Sequence, residues 1–246
     1  MKNLQEYIEE SLLDDIDTLS KNVDKEIKQK IKQFLKDNFK GKCKISKKPN
    51  NDGKYVVDGT EDIVIKNTSI TSLTNDLFVW GKVNGGFWCT NCKSLTSLKG
   101  APEEVIGNFG CWDCSSLTSL EGAPEEVGGE FSCSDCTSLT SLKGAPEKVG
   151  KGFYCLSCTS LKSLEGAPKE VNGDFSCSEC RSLTSLKGAP EKVGGFFRCS
   201  ECISLKSLKG APKEVGGDFW CAYCRSLKSY DVDSNIKGQF ITLSLL

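Results

Sequence analysis

A 22-residue tandem repeat, which begins at Gly86, constrains the fold more than any other feature of the sequence. Each unit carries a phenylalanine followed by a Cys-x-x-Cys pair, and the first six units also carry a Leu-x-x-Leu pair and Gly-Ala-Pro before a valine. The phenylalanines are Phe87, Phe109, Phe131, Phe153, Phe175, Phe197 and Phe219. A unit this short cannot bury its own apolar side chains, so consecutive units have to stack. The sequence therefore predicts a repeat solenoid.

One unit, which contains Phe175, shows how each coil is built. The alternation around Phe175 and Cys177 is typical of a half-buried strand, with both of these side chains inward and Ser176 outward. The leucines of Ser182–Leu186 also point inward, and the Gly-Ala-Pro at 188–190 turns the chain and excludes a helix. We therefore expect one short strand, two corners and an irregular back in every coil, and one long parallel sheet.

The run Cys-Ser-Ser-Leu-Thr-Ser-Leu at 114–120 resembles the bacterial leucine-rich repeats of the BspA-like type. The resemblance covers about 62–246 and implies a right-handed coil whose strands line a face that binds partners. It also implies that Cys180 and its equivalents form a ladder that bonds the neighbouring coil. The sequence differs from that family in having Cys at a strand leucine position and Gly-Ala-Pro in place of Ile-Pro, which leaves the curvature open.

The chain divides into three parts. Residues 1–41 form an N-terminal helical segment, with apolar spacing that predicts helices over 3–17 and 21–39. Residues 42–61 predict a hairpin or connector. Residues 62–246 form the solenoid, with a capping coil at 62–85, seven repeats at 86–239 and a last apolar strand at 240–246.

Composition excludes several classes of function. The absence of histidine removes His-based triads and the common catalytic zinc sites. A net charge of −1 and the lack of a long apolar run argue against nucleic-acid and membrane partners. The first residues lack the basic start and apolar run of a signal peptide, so we expect a cytoplasmic protein with reduced thiols. We expect no cofactor, and no nucleophile–base pair stands out, so we do not expect an enzyme.

The Cys-x-x-Cys pairs allow a second interpretation. Neighbouring units, such as those with Cys92 and Cys111, have the spacing of a zinc ribbon, so stacked thiols could bind metal or act in redox chemistry. However, seven pairs do not divide into sets of four, and no cation or helix N-terminus recurs beside each thiol. We therefore favour buried structural cysteines and retain a metal-binding or redox protein as the alternative function.

Two further features lie in the N-terminal segment. The second predicted helix carries a stripe of lysines, which are Lys21, Lys25, Lys28, Lys32 and Lys36. Such a stripe could bind phosphates or an acidic partner. We favour pairing of these lysines with the acidic first helix, or simple solvation. The first eleven residues, MKNLQEYIEES, resemble the targeting peptide of internal head proteins in T-even-type bacteriophages. This resemblance implies a phage origin, while an ordinary amphipathic helix that packs on the first coil is the favoured alternative.

The most informative positions are outward ones that vary while the scaffold repeats. They carry aromatic residues and arginine, which are enriched in binding hot spots. The candidate partner-binding residues are Trp88, Trp112, Tyr154, Phe196, Arg198 and Trp220, with Tyr223 and Arg225 just beyond the strand. We expect Arg198 to stack on Trp220 of the next coil. The sequence thus predicts a non-enzymatic, protein-binding solenoid of phage or bacterial origin. For a phage protein, a virion component and a host defence protein are both candidate partners, and the sequence does not choose between them.

Overall fold

The computed structural model describes residues 4–65 and 68–242, with side chains from Asp17 onward. One helix, Leu4–Asn38, precedes a β-solenoid of about eight turns, each of about 22 residues. The prediction of a repeat solenoid with a helical start is confirmed. Within the described ranges, no helix is long and apolar enough to cross a membrane.

One face of the solenoid is a ten-stranded sheet, which we call the Phe sheet. Its first two strands pair antiparallel and all the others pair parallel, with each phenylalanine in register with the next. In spatial order its strands are Phe39–Lys40, Ile63–Ile65, Phe87–Trp88, Phe109–Gly110, Phe131–Ser132, Phe153–Tyr154, Phe175–Ser176, Phe197–Arg198, Phe219–Trp220 and Phe240–Ile241.

Each regular coil has a second strand, which the sequence analysis assigned to an irregular back. These strands form the Val sheets, one of six strands and one of four. The six are Cys43–Ile45, Tyr55–Gly59, Phe78–Val83, Glu104–Val105, Glu126–Val127 and Lys148–Val149; the four are Glu170–Val171, Lys192–Val193, Glu214–Val215 and Asn235–Ile236. In four coils a glycine follows the valine and permits close stacking, namely Gly128, Gly150, Gly194 and Gly216. At Gly128, for example, a Cβ would lie 2.4 Å from the Ile106 carbonyl oxygen.

The predicted helices over 3–17 and 21–39 are one continuous helix. Nothing between them breaks a helix, because Thr18, Leu19 and Ser20 include neither glycine nor proline. An ion pair between Asp17 and Lys21, with 2.6 Å between the carboxylate oxygen and the ammonium nitrogen, spans the expected junction. The prediction of two helices is therefore wrong.

Among the described side chains of this helix, from Asp17 onward, those of the second half pack on the solenoid. Ile31 and Leu35 are buried, whereas Leu19 and Val23 are 63% and 54% exposed. Phe34 of the helix contacts an aromatic cluster at the first coil, with 5.7 Å between the ring centroids of Phe34 and Phe78. The first eleven residues, which carry the targeting-peptide resemblance, lie outside the residues whose side chains are described.

The predicted hairpin is confirmed and forms part of the solenoid. Cys43–Ile45 pairs antiparallel with Tyr55–Gly59, which in turn pairs parallel with Phe78–Val83. At the other end, Phe240 packs on Phe219 with 5.2 Å between ring centroids. The predicted last strand, 240–246, is seen as Phe240–Ile241, and residues 243–246 lie outside the described residues.

The core consists of parallel rows of identical side chains. Adjacent phenylalanine rings are stacked from Phe87 to Phe197, with 5.1–5.7 Å between centroids. All fourteen cysteines of the Cys-x-x-Cys pairs are buried, as are the leucine rows and the valines of the Val sheets. The repeating apolar positions therefore form one continuous core along the solenoid axis.

The second cysteine of each pair makes a ladder between coils. The Sγ of Cys180 donates to the Cys155 carbonyl oxygen at 3.1 Å, and Cys158 and Cys202 repeat this contact at 3.2 Å. Equivalent bonds join Cys114, Cys136 and Cys224 to the preceding coil. The ladder role that the leucine-rich-repeat resemblance implied for Cys180 is thus present in the structure.

Candidate functional site

The candidate site is the outward face of the Phe sheet. Because side chains alternate along a strand, the inward phenylalanines and first cysteines force the residue between them outward. Parallel in-register pairing then aligns these residues in one row across the sheet. The row consists of Trp88, Gly110, Ser132, Tyr154, Ser176, Arg198 and Trp220.

After each strand the chain turns sharply inside the Cys-x-x-Cys pair. The third residue of every pair is left-handed, with φ between 54° and 62°, from Asn91 to Tyr223. Asn91, Asp113 and Asp135 suit this conformation, since Asn and Asp tolerate it best among residues with a side chain. The turn fixes the second cysteine in the ladder and brings residues such as Trp112 to the edge of the outward face.

Trp88 and Trp112 form an aromatic pair at the N-terminal end of the face. Their ring centroids lie 5.5 Å apart in a T-shaped arrangement. Both rings lie over Gly110, where a Cβ would come within 2.4 Å of Trp112 and 2.7 Å of Trp88. Trp112 is 40% exposed. Glycine at this position therefore provides the space in which the two indoles meet.

Glycines also lie under Tyr154 and Phe196. A Cβ at Gly152 would lie 2.5 Å from the Tyr154 hydroxyl, and a Cβ at Gly217 would lie 2.7 Å from the Phe196 ring. Each ring is laid against backbone that carries no side chain. This arrangement was not predicted from the sequence, although its signal is a glycine two residues before Tyr154 and two residues before Trp88.

Tyr154 occupies the centre of the face and stays protonated. Burial raises its pKa, and the negative charges of Glu130 and Asp174 raise it further, while Arg198 acts in the opposite direction. The phenol is therefore neutral at physiological pH and can donate a hydrogen bond to an acceptor on a partner.

The C-terminal end of the face is built around Arg198. Its guanidinium lies over the ring of Phe196, the residue just before the strand, 4.9 Å from the centroid, so the expected stacking of Arg198 on Trp220 is replaced by stacking on Phe196. Trp220 is the in-register neighbour of Arg198 on the next strand. Residues i and i+2 share one face of a strand, which explains the contact with Phe196. The indole Nε1 of Trp220 is buried and has no hydrogen-bond partner among the described residues.

The predicted site residues thus fall into two aromatic patches. Trp88 and Trp112 form the first, while Phe196, Arg198 and Trp220 form the second, about 24 Å away at 4.8 Å per coil. Small hydroxyl side chains, Ser132 and Ser176, lie in the row between them with Tyr154. Tyr223 and Arg225 lie in the turn after the last of these strands, Tyr223 half-buried and Arg225 exposed.

The paired thiols lie inside the solenoid, away from this face. Burial raises the pKa of Cys89, and burial together with hydrogen bonds to neighbouring cysteines raises the pKa of Cys111. In the part of the chain that the structure describes, no group of three or more His, Cys, Asp or Glu side chains could hold a metal ion. The second cysteine of six pairs donates to a backbone carbonyl of the preceding coil, which accounts for the ladder.

Comparison with protein-family models, curated proteins and solved structures finds no match for this chain.

Proposed function

We propose that this chain is a non-enzymatic scaffold that binds a protein partner through the outward face of the Phe sheet. The observation that carries the proposal is the Trp88–Trp112 pair, seated over Gly110 and open to solvent on the other side. An exposed tryptophan loses solvent contact at little energetic cost and buries a large area when it is covered. Two in contact make an anchor suited to an apolar pocket on a partner.

The second patch supports the same proposal. Arg198 is held over Phe196 and so loses little side-chain freedom when it binds. An arginine stacked on an aromatic ring still has donors at its edge, which suits backbone carbonyls or carboxylates on a partner. Two anchors about 24 Å apart fit a partner surface of standard size, about 800 Å² per side.

The partner that we propose is a virion component or a host defence protein, in keeping with a phage or bacterial origin. A reducing compartment such as the cytoplasm suits the chain because fourteen buried cysteines act as thiol donors and core residues. A leucine-rich-repeat-like role fits this picture, because such solenoids present one sheet to a partner.

Site-specific photo-crosslinking tests the proposal. A photoreactive amino acid is placed at Ser132, between the two patches, and in a matched variant at Lys148 on a Val sheet. Both proteins are irradiated in a lysate of cells that produce the native chain. We expect one discrete protein adduct from the Ser132 variant and none from the Lys148 variant. An adduct from Lys148 alone would assign binding to the opposite side of the solenoid.

A further inference from the structure

A groove of about 670 Å³ runs between the second half of the helix and the hairpin. Five lysines line it, and no acidic side chain does. They are Lys28, Lys32 and Lys36 on the helix, with Lys40 and Lys47 on the hairpin side. Leu35 and Phe39 supply its apolar part. The groove is therefore a strongly basic channel beside the helix, suited to an acidic rod-shaped partner.

The sequence of the same helix contains an acidic stripe that matches these lysines. Acids and lysines are placed symmetrically about Lys21. Asp17 and Lys25 each lie four residues from Lys21, and Asp14 and Lys28 each lie seven residues from it. Glu10 and Lys32 each lie eleven residues from Lys21, and Glu6 and Lys36 each lie fifteen residues from it. Intervals of four, seven, eleven and fifteen lie along one stripe of a helix, and the backbone is helical throughout Leu4–Asn38.

We infer that the groove receives the acidic half of the helix from a second copy of the chain. Two such helices, packed antiparallel about a two-fold axis near Lys21, place each acid of the stripe beside a lysine of the other copy. The symmetry doubles the four pairs to eight. A helix of 35 residues is about 52 Å long, so the acidic half can span the groove.

The internal contacts of the helix are compatible with this pairing. Asp17 already contacts Lys21 of its own chain. Lys25 of the other copy would be a second lysine beside Asp17 and would extend this ion pair into a network. Lys28 donates to the Lys47 carbonyl oxygen at 2.6 Å, which holds its ammonium at the wall of the groove. Asp24, which could oppose an acidic partner, accepts a hydrogen bond from the Tyr55 hydroxyl at 2.5 Å.

A charge swap tests the inference. In the groove variant, Lys28→Glu, Lys32→Glu and Lys36→Glu are combined; in the stripe variant, Glu6→Lys, Glu10→Lys and Asp14→Lys are combined. Each variant alone would set like charges against each other, whereas a mixture restores opposite charges at both grooves. Molar mass is measured by light scattering after size-exclusion chromatography, with circular dichroism to verify the helix.

We expect the native chain to be a dimer at low ionic strength and a monomer in about 1 M salt, where the Debye length is about 3 Å. Each triple variant alone should be a monomer, and the equimolar mixture should be a heterodimer. A control with Lys162→Glu, Lys206→Glu and Lys209→Glu on the solenoid should remain a dimer. If a triple variant loses its helix, the single substitutions Lys32→Glu and Glu10→Lys repeat the swap. A monomeric native chain at low ionic strength, or a mixture that stays monomeric, would overturn the inference.

Discussion

The indoles of Trp88 and Trp112 meet edge to face over Gly110, with 5.5 Å between their ring centroids. Trp88 lies on a strand of the Phe sheet, and Trp112 lies in the turn that follows the next strand. Their contact therefore joins two coils on the outside of the solenoid. The contact between the two indoles depends on Gly110, which has no side chain.

Substituting Gly110→Ala should separate the two indoles without unfolding the protein. The added Cβ would lie within 3 Å of both rings, which are able to move. Stability should change by less than about 1 kcal/mol, because alanine is slightly favoured over glycine within a strand. Near-ultraviolet circular dichroism should lose the signal of the coupled indoles, whereas Ser132→Ala, the control, should retain it. An unchanged spectrum for Gly110→Ala would show that the glycine is not needed for the pair.

Relieving backbone strain at Glu201 should stabilise the solenoid. This exposed residue is left-handed, with φ of 58°, which costs a residue with a side chain roughly 1–2 kcal/mol. We expect Glu201→Gly to raise the free energy of unfolding by about 0.5–1 kcal/mol, since the greater freedom of glycine in the unfolded chain offsets part of the gain. Urea denaturation measures the change. Lys206→Gly, at a position without positive φ, should destabilise instead, and equal effects of the two would contradict this explanation.

Removing one thiol of the ladder should destabilise more than replacing it by a hydroxyl. Cys158 donates to the buried Cys133 carbonyl oxygen at 3.2 Å. Cys158→Ala leaves that carbonyl without its thiol donor and should cost about 1–3 kcal/mol. Cys158→Ser retains a donor and should cost less. Denaturant midpoints compare the two variants, and an equal loss in both would show that the cysteine acts only by filling space.

Thiol reactivity should depend strongly on folding and on pH. Burial and the charge of Glu61 raise the pKa of Cys43 to about 11, and burial, with the neighbouring Cys224, raises that of Cys221 to about 12. A thiol reagent at pH 8 should therefore modify the native protein slowly and the denatured protein at all 15 cysteines.

The same pKa shifts predict loss of stability in alkali. In the unfolded chain the thiols of Cys43 and Cys221 ionise near their ordinary pKa of about 9, whereas in the folded chain their raised pKa values keep them protonated at that pH. The folded state then binds more protons, so stability should fall as the pH rises above about 9. A thermal unfolding temperature, Tm, that is independent of pH between 8 and 10.5 would contradict the assignment.

The rows of the core could be predicted because they depend on periodicity alone. Phe153, Cys155 and Leu161 recur with the repeat, and alternation along a strand fixes which of their neighbours point outward. The boundary between two helices was mistaken because the apolar residues fall into two separate runs at helical spacing, whereas a helix ends only where its backbone is interrupted. The Asp17–Lys21 pair spans that place.

Features that depend on contacts between coils were harder to predict. The second strand of a coil stacks closely on its neighbour where glycine leaves room, as at Gly128, and this contact is invisible within one unit. Likewise, Arg198 had two aromatic neighbours in the sequence pattern, and only its rotamer decides that it lies over Phe196.

The repeat alternates lysine and glutamate between coils, so pairs such as Lys82–Glu104 and Lys213–Glu191 connect adjacent coils at 2.9 Å and 2.7 Å. These exposed pairs are individually weak.

The central claim is tested most directly by calorimetric titration of the partner that photo-crosslinking identifies. This partner is titrated against the native chain and against the double variant Trp88→Ala with Trp112→Ala. The proposed role of the outward face predicts at least a 10-fold loss of affinity, about 1.4 kcal/mol, with an unchanged Tm. Lys206→Ala with Lys209→Ala, exposed on the solenoid, should bind like the native chain. A double tryptophan variant that folds normally and binds with native affinity would contradict the claim.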